Sequence, residues 1–280
     1  MAYTTLVDAA TVQAHLGDSR WVVVDCRHTL ADFSLGRKLY NEAHIPGAFF
    51  ADMEHDLAGA KTGTNGRHPL PDPETFAAFL RTLGVNGDTQ VVAYDAGGDM
   101  SAPRLWFLCK WIGHESVAVL DGGIAGWSAA GYATTADAPT PPNSGSIAVK
   151  LQPQLVVDAA FVAAHLNDPS VKILDARASD RFAGQNEIID PVAGHIPGAS
   201  NRWFKENFTG DLMMRSPEEL RAAFNAIGEP ATIVNQCGSG VSAAANLLAM
   251  EHAGLHGARL YAGSWSEWIA DPAHPIATGN

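Results

Sequence analysis

The sequence repeats itself once, and this duplication constrains the fold more than any other feature. Asp25-x-Arg27 returns as Asp175-x-Arg177, and AHIPGA at 43–48 returns as GHIPGA at 194–199. Further matches keep the same order in both halves, and all offsets lie between 141 and 151 residues: Pro73-Glu74 and Pro217-Glu218, Gly84 and Gly228, Ser101-Ala102 and Ser242-Ala243, Gly113 and Gly254, Trp127 and Trp268. A period this long indicates two copies of a whole domain, because solenoid repeats span only about 20–50 residues.

Each copy alternates short apolar strands with helices. In the first copy the predicted strands are WVVVDC, QVVAYD and VAVLDG; in the second they are VKILDA, ATIVNQ and ARLYAG. Helices are predicted to begin at Asp72-Pro73-Glu74 and at Ser216-Pro217-Glu218-Glu219, where an N-cap residue precedes a first-turn proline. This alternation predicts an α/β fold of tandem domains, each a parallel β-sheet flanked by helices on both faces.

The boundary between the two copies is predicted from composition. Residues 134–146, TTADAPTPPNSGS, are rich in proline, threonine and serine and carry no periodic pattern, so we expect a linker there. The first domain is then residues 1–133 and the second residues 147–280. A chain of 280 residues with 46% hydrophobic residues is long enough to give each domain its own core.

Charge and composition exclude several classes of function. The 18 basic and 30 acidic residues give a net charge of −12, which argues against nucleic acid or an anionic membrane as a partner. No apolar run approaches the ~20 residues that span a bilayer, and the first residues lack a basic segment followed by an apolar stretch. The three cysteines show no metal-ligand spacing, and the stretch GGDMSAPR lacks the lysine of a phosphate-binding loop. We therefore expect a cytoplasmic protein with free thiols, no metal and no bound cofactor.

Cys237 is the strongest candidate for a reactive group. The predicted strand ATIVNQ leads directly to it, and the loop Gly238-Ser239-Gly240-Val241-Ser242 then opens a helix. At a strand end the sulfur is exposed, flexible glycines let backbone N–H groups converge on it, and the helix N-terminus adds positive potential. These effects favour a thiolate, which is a strong nucleophile. The alternative is a buried structural cysteine, which is what we expect of Cys26 and Cys109.

The duplication separates residues needed by the fold from candidates for chemistry. At an offset of 141, Cys237 falls on Ala96, so the first domain has the loop without the nucleophile and is predicted to be inactive. The two Asp-x-Arg pairs occur in both copies, and we interpret them as structural salt bridges at strand ends. Arg181 has no basic counterpart in the first copy, which makes it a candidate substrate ligand.

These motifs together resemble the two-domain rhodanese family of sulfurtransferases. The resemblance covers nearly the whole chain and rests on the duplicated unit, GHIPGA after Asp-x-Arg, the loop CGSGVS and the terminal GSWSEW. It implies that the first domain is catalytically empty and that Cys237 accepts a sulfur atom as a persulfide. The resemblance also implies an acceptor for that sulfur: a thiol such as thioredoxin, a small thiol, or cyanide.

The loop also bears on the sulfur donor. CGSGVS resembles the loop of members that use 3-mercaptopyruvate, whereas members that use thiosulfate usually have a basic loop such as CRKGVT. A compact dianion gains from fixed positive charge, while a keto acid can be held by hydroxyl and amide donors. The resemblance implies that Arg181 holds the substrate carboxylate and that Ser239 donates a hydrogen bond near the keto oxygen or the cysteine.

Two departures from the family pattern leave alternatives open. Many mercaptopyruvate-using members have a second arginine before the second HIPGA, in a stretch resembling EPR, but this chain reads QNEIIDPVAGHIPGA. Thiosulfate therefore remains an alternative donor, and a non-enzymatic persulfide carrier remains an alternative function. His44 of the first HIPGA is a candidate for proton transfer by resemblance. Its repeat partner His195 favours a loop-fixing role instead, and Lys38 stands near the place where the family often has an acid.

Overall fold

The computed structural model describes residues 2–140 and 143–279 and divides into two compact units. Unit 1 comprises the chain up to Gly59 together with Pro71–Gln152 and Phe208–Met214. Unit 2 comprises Ala60–Leu70, Pro153–Asn207 and the chain from Arg215 onward. Each unit is thus built mainly from one copy of the repeat and takes a short segment from the other half of the sequence.

Unit 1 contains one parallel sheet with the strand order β1-β5-β4-β2-β3. Its strands are β1 (Leu6–Val7), β2 (Trp21–Asp25), β3 (Phe49–Phe50), β4 (Gln90–Tyr94) and β5 (Val117–Leu120). Its helices are α1 (Ala9–Ala14), α2 (Leu35–Glu42), α3 (Pro73–Thr82), α4 (Ser101–Trp111) and α5 (Gly123–Ala129). Asp72 caps α3 by accepting a hydrogen bond from Thr75 N–H, as the sequence predicts.

Unit 2 repeats this topology, with a parallel sheet in the order β6-β10-β9-β7-β8. Its strands are β6 (Val156–Val157), β7 (Lys172–Asp175), β8 (Ser200–Asn201), β9 (Ile233–Gln236) and β10 (Arg259–Tyr261). Its helices are α6 (Ala159–Ala164), α7 (Ser179–Phe182), α8 (Pro217–Asn225), α9 (Ser242–His252) and α10 (Ser264–Trp268). The predicted capping box at the start of α8 is present between Ser216 and Glu219.

Helices cover both faces of the second sheet. On one face, Val234 in β9 packs in a buried cluster with Val162 of α6 and Trp265 of α10. The next residue, Asn235, points to the opposite face, where its side-chain amide lies 3.6 Å from the sulfur of Met250 in α9. The predicted α/β architecture is confirmed, and β9 is therefore buried on both sides up to its C-terminal end.

The residues common to both copies serve the fold. Trp127 and Trp268 are fully buried, and each indole N–H donates to a backbone carbonyl at 2.9 Å. In Asp25-x-Arg27 and Asp175-x-Arg177, the arginine pairs with the aspartate at 2.6 and 2.7 Å. Each arginine also donates to the carbonyl of the residue before the HIPGA histidine. The pairs therefore tie the end of a strand to the HIPGA loop, which confirms the structural interpretation.

The predicted linker, residues 134–146, includes Pro141 and Pro142, which lie outside the described residues. Around them, Thr135 pairs with His44 as an isolated bridge, and Gly145 N–H donates to the Arg81 carbonyl at 2.8 Å. In the described part of the chain, no helix is long and apolar enough to cross a membrane.

Candidate functional site

Cys237 lies at the carboxyl end of the central strand β9, immediately after Gln236. Only 2% of the residue is exposed, and the loop that follows ends where α9 begins at Ser242. In parallel α/β sheets this edge is where ligands bind, because the loops that follow the strands gather there. All three cysteines are free, and burial raises the pKa of the Cys26 and Cys109 thiols, as expected of thiols that only pack.

The loop after Cys237 is folded back over the sulfur. Gly240 N–H donates to Cys237 Sγ at 3.1 Å, so one of the loop's backbone N–H groups reaches the sulfur. Gly240 has a φ of +76°, and a Cβ at this position would overlap the carbonyl oxygen of Ala262. A glycine is therefore required for the loop to bring this N–H group to the sulfur.

The beginning of α10 fixes the other side of the loop. Cys237 N–H donates to Ser264 Oγ at 3.0 Å, and Ser264 Oγ donates to the Tyr261 carbonyl at 2.9 Å. Trp265 N–H and Ser266 N–H donate to the carbonyls of Cys237 and Gly238 at 3.0 and 2.9 Å. Ser264 has a φ of +56°, a strained conformation for a residue with a side chain. This strain is maintained because Ser264 satisfies the backbone of the cysteine.

Two guanidinium groups reach the loop beside the cysteine. A Cβ placed on Gly238 would lie 2.8 Å from Arg67 Nη2 and 3.6 Å from Arg181 Nη2. Arg181 is the predicted ligand and lies on the short helix α7. Arg67 was not predicted, because it belongs to the Ala60–Leu70 segment, which the structure assigns to unit 2.

Buried carboxylates hold these arginines in place. Asp190 pairs with Arg67 and, at 3.2 Å, with Arg181. Glu187 pairs with Arg181 at 2.9 Å and with Arg177 at 3.4 Å. The network contains three arginines and three carboxylates, so its formal charges sum to zero: Arg67, Arg177, Arg181, Asp175, Glu187 and Asp190. Burial lowers the pKa of the Arg67 guanidinium group.

A histidine that the sequence analysis missed, His68, pairs with the predicted loop residue Ser239 and completes the site. His68 is 2% exposed, and its Nδ1 lies 2.8 Å from Ser239 Oγ, two residues after the cysteine. The repeat alone does not reveal this pair, because the Ala60–Leu70 segment comes from the first half of the sequence but belongs to unit 2. At the offset of 144 His68 falls on Leu212, and at the offset of 141 Ser239 falls on Gly98. Because Leu212 belongs to unit 1 and His68 to unit 2, the unit that has the cysteine contains both the histidine and the serine, and the other unit has leucine and glycine in their places.

In unit 1 the loop that corresponds to the Cys237 loop is covered by a side chain of the same unit, Leu212. Ala96 takes the cysteine position, and a Cβ on Gly98 would lie 3.2 Å from a methyl carbon of Leu212. Asp95, in the position of Gln236, accepts hydrogen bonds from Gly97 N–H and Ala102 N–H at 3.0 Å each. Burial, reinforced by repulsion from a neighbouring carboxylate, raises the pKa of Asp95 to about 7. In unit 1, two backbone N–H groups at this loop thus donate to Asp95. The apolar side chain of Leu212 lies against the loop in the place that His68 takes in unit 2.

The two HIPGA histidines occupy equivalent structural positions. His44 stacks on Tyr40 at 4.1 Å, and its ring nitrogens lie 2.7 and 3.1 Å from the backbone carbonyls of Tyr40 and Asp137 in unit 1. His195 stacks on Phe182 at 3.8 Å, and its Nδ1 lies 2.9 Å from the Phe182 carbonyl. These contacts fix the HIPGA loops.

Comparison with known proteins assigns both copies to one family. Residues 8–130 and 158–271 each match the family described as "Rhodanese-like domain". The two matched ranges together cover most of the chain, and each contains four of the five strands of one parallel sheet.

Full-length relatives are named as sulfurtransferases. A probable 3-mercaptopyruvate sulfurtransferase of Pseudomonas aeruginosa is 46% identical over 285 residues, with 100% of each chain covered. A putative thiosulfate sulfurtransferase of Mycobacterium tuberculosis is 34% identical over 261 residues, which cover 92% of this chain and 90% of the relative. Among solved structures, a 3-mercaptopyruvate sulfotransferase of Escherichia coli superimposes with a TM-score of 0.81 at 33% identity, covering 95% of this chain and 100% of that one.

Proposed function

Since the chain belongs to the rhodanese-like family, we propose that it is a sulfurtransferase that moves a sulfur atom from 3-mercaptopyruvate, through a Cys237 persulfide, to a thiol or cyanide. The observation that carries this proposal is the arrangement around the sulfur. Gly240 N–H points at Cys237 Sγ, and the guanidinium groups of Arg67 and Arg181 lie beside the next residue. The sulfur and two cationic groups therefore lie at the same short loop, which suits a donor that carries both a thiol and a carboxylate.

The proposed reaction conserves charge and needs no external oxidant. The Cys237 thiolate attacks the sulfur of HS–CH₂–CO–COO⁻, a new S–S bond forms, and the C–S bond breaks. The electron pair of that bond remains on carbon as the enolate of pyruvate. The proton of the substrate thiol moves to this carbon, giving pyruvate and the persulfide anion Cys–S–S⁻. Backbone N–H groups of the loop stabilise the anion, and an acceptor nucleophile then removes the outer sulfur and restores the thiolate.

Arg181 binds the substrate carboxylate in this scheme, and Ser239 donates a hydrogen bond near the keto oxygen. The position of Arg181 Nη2 beside Gly238 supports the first role, and the position of Ser239 in the loop supports the second. His68 and Ser239 together carry the proton, since their polar atoms are 2.8 Å apart. We assign this role to His68 and not to His44, because each ring nitrogen of His44 already lies within hydrogen-bond distance of a backbone carbonyl.

Thiosulfate is the second candidate donor, and one observation favours it. The loop sequence contains no cation, yet the structure brings the side chains of Arg67 and Arg181 to the loop. Asp190 and Glu187 neutralise these charges. Because the network of arginines and carboxylates is neutral overall, it attracts a dianion such as thiosulfate only weakly. A keto acid also accepts a hydrogen bond at its keto group, so we expect the site to prefer mercaptopyruvate.

The division of labour between the domains is part of the proposal. We assign catalysis to unit 2 and assign no catalytic role to unit 1, because Ala96 and Leu212 of unit 1 stand where unit 2 has Cys237 and His68. Thioredoxin or a small thiol is the proposed acceptor. The three free thiols favour a reducing compartment such as the cytoplasm.

The deciding experiment measures pyruvate release from 3-mercaptopyruvate and sulfite release from thiosulfate, both with cyanide as acceptor. We expect a higher kcat/KM for mercaptopyruvate and no sulfur transfer from either donor by a Cys237→Ser variant. A Cys109→Ser variant is the matched control, because that thiol is buried outside the site and should leave both rates unchanged. A preference for thiosulfate would reverse the donor assignment. Failure to turn over either donor, together with acceptance of sulfur from a protein persulfide, would favour the carrier function.

A further inference from the structure

Asp190 places a buried carboxylate beside the residue that follows Cys237. A Cβ built on Gly238 would lie 3.7 Å from Asp190 Oδ2, which is almost as close as Arg181 Nη2 at 3.6 Å. The side chain of Asp190 is 2% exposed, so water and salt screen its charge poorly. An anion held at this loop therefore meets a fixed negative charge as well as the guanidinium groups.

The carboxylate of Asp190 is held in this position by both arginines. Its Oδ1 pairs with Arg67, and its Oδ2 lies 3.2 Å from Arg181 Nη2. The Asp190 backbone is fixed as well, because its N–H donates to Glu187 Oε1 at 3.0 Å. The carboxylate cannot turn away from the loop without breaking both ion pairs, so a bound anion experiences its full repulsion.

The other two carboxylates of the network have structural roles. Asp175 belongs to the Asp-x-Arg pair that ties its strand to the HIPGA loop. Glu187 holds the turn before Asp190 by accepting the N–H groups of Ile189 and Asp190. In the described part of the chain, the carboxylate of Asp190 bonds only to the two arginines. Without its charge, three arginines would face two carboxylates, and the network would carry one positive charge.

The effect of this charge depends on the charge of the donor. Thiosulfate is a dianion, whereas 3-mercaptopyruvate carries one negative charge while its thiol is protonated. Coulomb energy is proportional to the ligand charge, so Asp190 repels thiosulfate about twice as strongly as mercaptopyruvate. At a separation of about 4 Å, each unit of ligand charge is worth at least about 10-fold in affinity even with strong screening.

We propose that Asp190 is a specificity-determining residue whose fixed negative charge selects a monoanionic keto-acid donor against a dianionic donor such as thiosulfate. The inference rests on the proposed function and assigns the choice between its two candidate donors to one side chain. A carboxylate that only oriented the arginines would behave differently, because loss of orientation would weaken the binding of both donors alike.

The test measures kcat/KM for 3-mercaptopyruvate and for thiosulfate in the full-length protein, with cyanide as acceptor. Asp190→Asn removes the charge and keeps the size of the side chain. We expect its kcat/KM for thiosulfate to rise, and the thiosulfate-to-mercaptopyruvate ratio to increase by at least about 10-fold. Asp190→Glu keeps the charge and should leave this ratio within about 3-fold of the wild-type value. Glu206→Gln is the matched control and should leave both donors unchanged, because that side chain is 51% exposed and its charge is screened.

A second measurement needs no donor. Sulfate and methanesulfonate are anions of similar size that carry two charges and one charge, and either of them, when bound at the loop, slows alkylation of Cys237 by iodoacetamide. At constant ionic strength, the two anions should protect the wild type at concentrations within about 3-fold of each other. Asp190→Asn should bind sulfate at least about 10-fold more tightly than methanesulfonate.

Two results would overturn the inference. One is an unchanged donor ratio in Asp190→Asn, including an equal loss with both donors. The other is a wild type that already binds sulfate about 10-fold more tightly than methanesulfonate, a comparison that decides the matter even if Asp190→Asn does not fold. If the wild type turns over neither donor, the proposed function fails, and the anion comparison alone decides the role of Asp190.

Discussion

Replacing Gly240 by alanine should distort the reactive loop and lower activity far more than the accompanying loss of fold stability can explain. Gly240 has a φ of +76°, and its N–H donates to Cys237 Sγ at 3.1 Å. A Cβ here would overlap the carbonyl oxygen of Ala262, a backbone atom that cannot rotate away. The alanine can be accommodated only if the loop backbone moves away from Ala262.

The expected magnitude follows from two costs. A left-handed conformation costs an L-residue about 1–2 kcal/mol, and this part reduces stability alone. Relieving the overlap requires a backbone shift of about 1 Å, which lengthens the N–H···S contact to about 4 Å and breaks the hydrogen bond. Removing one preorganised backbone donor from a developing anion costs about 100-fold to 1,000-fold in rate. We therefore expect kcat/KM to fall by at least about 100-fold.

Gly131 offers a matched control because it has the same backbone conformation without the contact. Its φ is +80°, and a Cβ there would have no atom within 4 Å. Gly131→Ala should lose about 1–2 kcal/mol of stability and retain activity within about twofold. The assays are steady-state sulfur transfer to cyanide, the rate of Cys237 alkylation by iodoacetamide, and urea denaturation. Retention by Gly240→Ala of both turnover and Cys237 reactivity, within about threefold of wild type, would refute the argument that this N–H group activates the sulfur.

Substitutions at two further positions, Ser264 and His68, test the surroundings of the loop. Ser264→Ala leaves the Cys237 N–H without its partner and should cost about 1–3 kcal/mol in urea denaturation. Ser264→Gly loses the same bond but relieves the strained φ of +56°, so it should be about 1 kcal/mol more stable than the alanine variant, and equal stabilities would contradict the presence of strain. His68→Gln should lower kcat for mercaptopyruvate by about 100-fold, because the enolate must be protonated. The same variant should lower persulfide formation from thiosulfate by less than about 3-fold, since that reaction transfers no proton, and equal losses with both donors would rule out proton transfer by the His68–Ser239 pair.

The architecture and the central residue of the site followed from the sequence because they depend on local signals. Alternating apolar strands and capped helices specify a parallel α/β sheet wherever they occur, and the repeat showed that this happens twice. Cys237 was identified because a strand end, a glycine-rich turn and a helix start are adjacent in the chain. The structural role of Asp25-x-Arg27 followed from its presence in both copies.

The tertiary structure alone decided which side chains surround the sulfur. The Ala60–Leu70 segment packs with unit 2, and it brings Arg67 and His68 to a cysteine that lies 170 residues further along the chain from Arg67. Asp190 belongs to the stretch before the second HIPGA, in which the second arginine of the family pattern is missing, and only the structure shows that this aspartate pairs with Arg67. Periodicity and capping act over a few residues, whereas these contacts join segments more than a hundred residues apart. The sequence therefore determined the fold and the position of the candidate nucleophile, and packing determined which charged side chains surround it.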